Sequence, residues 1–150
     1  MNIFNRCFDD QSQIRIHLET AAVEAIFDRA EAGEFVLCWS FILDYENRLN
    51  PNAERREGIK LFRGICRANI TASNIIRRLA QRITREFRLW PRDALHVACA
   101  EVSGCDFFIT CDDKIVRATP RITKGLDLKV RAINPIDFVK KVIANAENDL

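Results

Sequence analysis

Residues 92–114, RDALHVACAEVSGCDFFITCDDK, set carboxylates at the ends of two apolar runs. Asp93 opens the first run, and Asp112 with Asp113 closes the second. A helix from Asp93 to Ser103 covers roughly 16 Å, and an extended segment over 106–110 returns roughly 17 Å. With a turn at Gly104 the two lengths nearly cancel, so Asp93 and Asp112 are expected at one edge of the fold. Glu46 is the third candidate, because the helix that carries it leaves the segment EFVLC (34–38) at the same edge. It lies about two turns along that helix and must point back. Asp44 faces nearly the opposite way and reads as solvated.

Two ionised carboxylates about 4 Å apart repel by roughly 4 kcal/mol at an effective dielectric of 20. Converging acids therefore need a cation, a shared proton or solvent between them. With no cysteine or histidine cluster spaced as a soft-metal site, a hard cation such as Mg²⁺ or Mn²⁺ is the natural candidate. Such a site activates water and clamps a phosphodiester for in-line displacement. Each acid also has a plain structural role open to it: Asp93 as a helix cap, Asp112 and Asp113 as turn residues.

The elements that must position these acids follow from periodicity. Ser12 is placed to cap a helix to about Ala32 that Gly33 ends, and Ser40 to cap one that ends near Asn50-Pro51. Amphipathic helices are expected from about Asn52 to Cys66 and from Thr71 to about Arg88. The run from Ala94 to Ser103 is apolar nearly all round and predicts a buried helix. EFVLC (34–38), DFFIT (106–110) and LKVRAI (128–133) read as buried strands, and Pro135 starts a final helix. Strands alternating with helices imply an α/β domain with a mostly parallel sheet covered on both faces.

Length and composition bound the class. The 150 residues suit one domain over 1–150, and 48% apolar with 29% charged residues is a globular composition. A net charge of +2 does not argue for nucleic acid by itself. No apolar stretch is long enough for a membrane helix, and MNIFNRCFDD lacks a secretory pattern, so a cytoplasmic protein is expected. No two of the six cysteines form C-x-x-C, and with two histidines a zinc site is poorly supported. Arg78, Arg82 and Arg85 share a helix face that could track an RNA backbone, although such a stripe is more often a solvated face. His96 reads as a buried, hydrogen-bonded structural histidine, and Trp39 and Trp90 as core or interface aromatics.

RDALHVACAEVSGCDFFITCDD resembles the signature D-A-x-H-x-A-x-A…G-x-D-x-x-x-T-x-D of PIN-domain proteins, the fold of many toxin-type ribonucleases of toxin–antitoxin operons. SFILDYE is similar to the second motif of that family, a Ser followed six residues later by an acid, here Ser40 and Glu46. VRAINPIDFV resembles its closing strand and helix, and NIFNRCFDDQSQIRIHLE the segment after its first strand. The resemblance implies a three-layer α/β/α domain and a Mg²⁺- or Mn²⁺-dependent nuclease site of four acids. Three of them map onto Glu46, Asp93 and Asp112, with Thr110, or Asp113, as a secondary contributor. It also implies an RNA substrate, an antitoxin protein partner and a homodimer.

The fourth acid does not map. The family begins with an apolar strand ending in Asp, then Thr or Ser, then often Asn; here Met1 falls at the Thr position and Asn2 follows. The strand and its Asp are thus expected upstream of Met1, and Asp9 and Asp10 are poor substitutes because no buried strand aims them. Either the start codon is assigned too late, or the chain is a degenerate PIN-like module that binds RNA or a protein without cleaving. Loss of a central strand exposes sheet edges, which favours the first and predicts an in-frame apolar run ending in Asp just upstream. Phosphoryl transfer through an aspartyl phosphate is disfavoured, since it wants a nucleophilic Asp directly after an early buried strand.

Overall fold

Side chains that cap helices show where the chain turns into them. Asn52 accepts the amide of Arg55, Ser73 that of Ile76, Asp112 that of Lys114 and Asn134 that of Ile136. Each satisfies an N–H that has no partner inside its own helix. The computed structural model describes residues 2–144. Its elements are α1 (Asn2–Asn5), a 3₁₀ turn (Arg6–Phe8), α2 (Ile14–Glu31), β1 (Cys38–Ser40), α3 (Phe41–Leu49), α4 (Ala53–Arg63), β2 (Ala68–Ile70) and α5 (Asn74–Phe87). The chain goes on through α6 (Pro91–Val102), β3 (Phe107–Ile109), α7 (Asp113–Leu126), β4 (Arg131–Ile133) and α8 (Pro135–Phe138), which passes into a π turn (Val139–Ile143).

The expected three-layer α/β/α arrangement around one mostly parallel sheet is not what forms. Among the described residues the strands make two separate parallel pairs. β1 lies beside β2 with Trp39 opposite Asn69, and β3 beside β4 with Phe108 opposite Ala132. Every strand is three residues long, and helix dominates the chain. The apolar runs were read as longer strands because a short apolar run looks the same whether it joins a ladder or merely packs. Phe35 and Leu37, predicted in a strand, instead lead into β1 and pack on the cluster around Ile26, Phe138 and Ile143. In that cluster Phe35 meets Phe138 edge-on, with ring centroids 5.4 Å apart.

Other boundaries shift in ways that local chemistry explains. Gln13, not Ser12, stands at the start of α2, and the Ser12 amide is held by Asp10 Oδ1 at 3.0 Å. Ser40 occupies the cap position of α3 but makes no side-chain cap bond. Pro91 starts α6 two residues before Asp93, where its fixed φ and missing N–H suit the first helical position. Helix α7 was not anticipated, since Pro120 in its interior breaks the apolar pattern. Gly33 and Gly104 end α2 and α6 at φ of 87° and 70°, a conformation that glycine adopts without Cβ strain.

The main core lies between α5, α6 and α7, where Ile76, Ile83, Val97, Ile115 and Ile122 are almost fully buried. Each such side chain contributes about 1.5–3 kcal/mol of burial. A second cluster joins Phe4 of α1 to Phe27, Trp39, Leu43 and Ile59. It seats α1 against β1 and α3, which bear on the acid site. Among the described residues no helix is long and apolar enough to cross a membrane.

Candidate functional site

β3 is followed closely by an acid at the site, whereas the acid on the β1 side lies well along the next helix. From β1 the chain enters α3, whose Glu46 points back, and from β3 it passes Thr110 to reach Asp112, the cap of α7. Asp93 sits in the first turn of α6. All four residues line one open cleft of about 430 Å³, together with Asn2, Arg92 and His96. Asp93, Asp112 and Glu46 line the same cleft.

The acids perturb one another. Burial pushes the Asp93 carboxyl above its ordinary value, and the charges of Asp112 and Glu46 push it further, against a smaller opposing pull from His96 and Arg92. Burial alone would also raise Glu46. Contact with His96 outweighs it and, with Arg92, leaves Glu46 below the usual carboxylate range. His96 Nε2 lies 3.1 Å from Glu46 Oε2, and Arg92 Nε lies 3.8 Å from Oε1. Burial holds the imidazole pKa below its ordinary value despite that acid neighbour, and His96 is buried beside Glu46, as a structural histidine would be.

Thr110 is nearly inaccessible, 1% exposed, and its hydroxyl accepts bonds from Asn2 Nδ2 at 2.9 Å and from the Asp112 amide at 3.1 Å. Asp112 caps α7, its Oδ1 accepting the Lys114 amide at 2.8 Å, and also lines the cleft. Asp113 is placed differently. It forms a two-pronged pair with Arg15 at 2.8 and 2.9 Å, which lowers its pKa, and it does not line the cleft. Asp44 is not simply solvated: it accepts Trp39 Nε1 at 2.9 Å and Arg63 at 3.1 Å. Asp9 is engaged by Arg6 and Arg55.

The arginine stripe stands apart. Arg78, Arg82 and Arg85 are exposed on α5, line neither cleft, and Arg82 and Arg85 both approach Glu86. The basic residue at the acids is Arg92, one position before Asp93. Asn2 was not singled out from its residue type either. Its amide bridges Thr110 and the Cys111 N–H, bonds that a lone Asn in a sequence does not announce.

A second cleft, of about 850 Å³, adjoins the first and shares Arg92 and Asp93 with it. Its wall is mostly apolar and includes Tyr45 and Trp90, the latter 74% exposed, whereas Trp39 is core at 2%.

Comparison with protein-family models, with curated proteins and with solved structures finds no match for this chain. A metal must therefore be judged on the residues themselves. Among the described residues no group of three or more His, Cys, Asp or Glu side chains is arranged so that it could hold a metal ion. The oxygen donors at the cleft are the carboxylates of Glu46, Asp93 and Asp112 and the Thr110 hydroxyl, with Arg55, Arg92 and His96 also in its wall. A hard cation such as Mg²⁺ keeps several waters and takes one or two carboxylates.

Proposed function

We propose that this chain is a metal-dependent endoribonuclease, the toxin of a toxin–antitoxin pair, cleaving RNA phosphodiesters at the acid cleft. The observation that carries the reading is that Glu46, Asp93 and Asp112 line one cleft, where burial first, and then the charges of Asp112 and Glu46, raise the Asp93 proton affinity. The likeness of 92–113 to the PIN-domain signature belongs to the reading; a single central sheet does not.

Glu46, Asp93 and Asp112 are the residues that would hold Mg²⁺ or Mn²⁺. When bound, the ion would supply a hydroxide nucleophile and charge neutralisation at the phosphate. His96 and Arg92 hold the Glu46 carboxylate ionised and oriented, and Arg92 offers a guanidinium to an approaching phosphate. Thr110, fixed by Asn2, keeps the Asp112 backbone in place. The expected partners are an antitoxin protein and a second copy of the chain in a homodimer.

The test is cleavage of single-stranded RNA with Mn²⁺. Activity should vanish with a chelator and in Asp93→Asn, and cleavage that survives both sinks the reading. A second reading is favoured because no group of three or more such side chains among the described residues is arranged to hold a metal ion: a non-catalytic module that binds RNA or a protein partner at the same cleft. It predicts RNA retention without strand scission at any metal concentration.

A further inference from the structure

The larger cleft has features that the acid site does not use. Trp90 presents its indole to solvent at the turn between α5 and α6, Tyr45 is 44% exposed on α3, and the Arg92 guanidinium lies 5.7 Å from the centre of the Tyr45 ring. Arg48 is in the same wall. An exposed tryptophan beside a mostly apolar cleft is costly to keep in water unless something covers it.

We propose that this cleft is a base-binding subsite, which takes the unstacked nucleobase of a single-stranded nucleotide flanking the scissile phosphate and stacks it on Trp90. The inference rests on the nuclease reading of the adjoining acids, because that reading fixes where the strand runs. Three observations favour a nucleotide over an apolar protein side chain. Arg92 and Asp93 line both clefts, so a strand with its phosphate at the acids passes directly over the second one. Arg92 sets its guanidinium over the Tyr45 ring and Arg48 lines the same wall, the combination of basic and aromatic groups that tracks a phosphate backbone while rings stack on its bases. The acid facing them, Asp44, is already engaged by Arg63 and Trp39. Stacking needs a free π-face, so a base-paired duplex is excluded.

The two tryptophans make the test direct, because Trp39 is buried and Trp90 is exposed. A short oligouridylate titrated into the protein with a chelator present should quench the exposed tryptophan emission saturably. The same strand annealed into a duplex should not. By fluorescence anisotropy of a labelled strand, Trp90→Ala should bind roughly tenfold more weakly and Trp90→Phe nearly as wild type. In Mn²⁺ turnover, Trp90→Ala should raise KM about tenfold with little change in kcat. Equal affinity of wild type and Trp90→Ala, absence of quenching, or equal quenching by the duplex overturns the base subsite. Cleavage with a KM indifferent to Trp90 overturns it while leaving the nuclease reading intact. Quenching without cleavage upholds the subsite and removes the nuclease reading. A blue shift of Trp90 with rising protein concentration and no RNA assigns the cleft to a second copy and also overturns the proposal.

Discussion

His96 Nε2 stands 3.1 Å from Glu46 Oε2 while the imidazole face lies on Phe108, with ring centroids 5.6 Å apart and planes 16° from parallel. Glu46 is deep along α3 and must be turned back toward the acids. His96, one turn beyond Asp93 on α6, is the group that turns it. The ring is gripped from two sides, by a carboxylate and by an aromatic face, and this makes His96 a positioning residue.

His96→Ala should therefore cost about 2–4 kcal/mol in urea denaturation, from the lost packing and a missing partner for Glu46. The loss should depend on pH. Burial lowers the folded pKa of His96 below the ordinary 6.5, so the unfolded chain binds the proton more readily. Its contribution is full above 6.5 and fades as pH falls through that value toward the folded pKa. Wild type should thus lose stability between about pH 7 and 5 more steeply than His96→Ala.

Glu19 of α2 is 0% exposed and accepts Arg6 Nε at 2.6 Å, Arg15 Nε at 3.0 Å and Asn134 Nδ2 at 2.8 Å. It ties the N-terminal turn to the loop before α8. Burial raises its pKa, but the three donors together outweigh burial and leave it below 4.5. Glu19→Gln keeps the shape and removes the charge, at a cost of about 3 kcal/mol because Arg6 loses its buried anion. A depressed folded pKa gives stability that is full above 4.5 and lost as pH falls through the folded value. Acid unfolding of Glu19→Gln should therefore be shallower than that of wild type, as followed by circular dichroism.

Glu19 was invisible in the sequence because a single acid on an amphipathic helix looks like every solvated one. The acid edge was legible, since Asp93, Gly104 and Asp112 carry their own length arithmetic and Gly104 does turn the chain at φ 70°. The sheet was not. An apolar run such as 34–38 satisfies both a ladder and a packed approach segment, and only tertiary pairing decides between them. The partners of the acids were half legible. His96 announced itself as buried, but which carboxylate it would meet depends on how α3 packs beside α6. Trp90 showed a residue type without its exposure, so the aromatic wall next to the acids came from the structure alone.

Arg88 ends α5 in the left-handed region, φ 58° and ψ 29°, with its amide donating to the Thr84 carbonyl at 3.0 Å. A side chain there crowds its own carbonyl, and glycine does not. Arg88→Gly should raise stability by about 0.5 kcal/mol, while Arg88→Val should lower it by about 1 kcal/mol. The same short turn places Trp90 and starts α6 at Pro91. If the strain is confined to this residue, Arg88→Gly should leave RNA affinity unchanged as its melting temperature rises.

Asp93 carries the sharpest contrast between folding and chemistry. Burial and the charges of Asp112 and Glu46 raise its pKa in the fold, so the folded state resists the ionised form. At neutral pH that carboxylate is a net cost, and the cost disappears as pH falls through the raised folded value. Asp93→Asn removes the charge at nearly constant volume. It should raise the metal-free melting temperature by roughly 2 °C, the size expected for somewhat under 1 kcal/mol in a chain of this length. Mn²⁺ should reverse the order. A cation that binds the folded protein alone stabilises it by mass action, so wild type should gain several degrees with saturating Mn²⁺ and Asp93→Asn almost none. Calorimetric scans of both proteins, with and without the ion and with chelator as control, read this without any RNA. Equal metal shifts in the two proteins would place the cation elsewhere, and a lower metal-free melting temperature for Asp93→Asn would show that its carboxylate is a structural cap rather than a strained ligand.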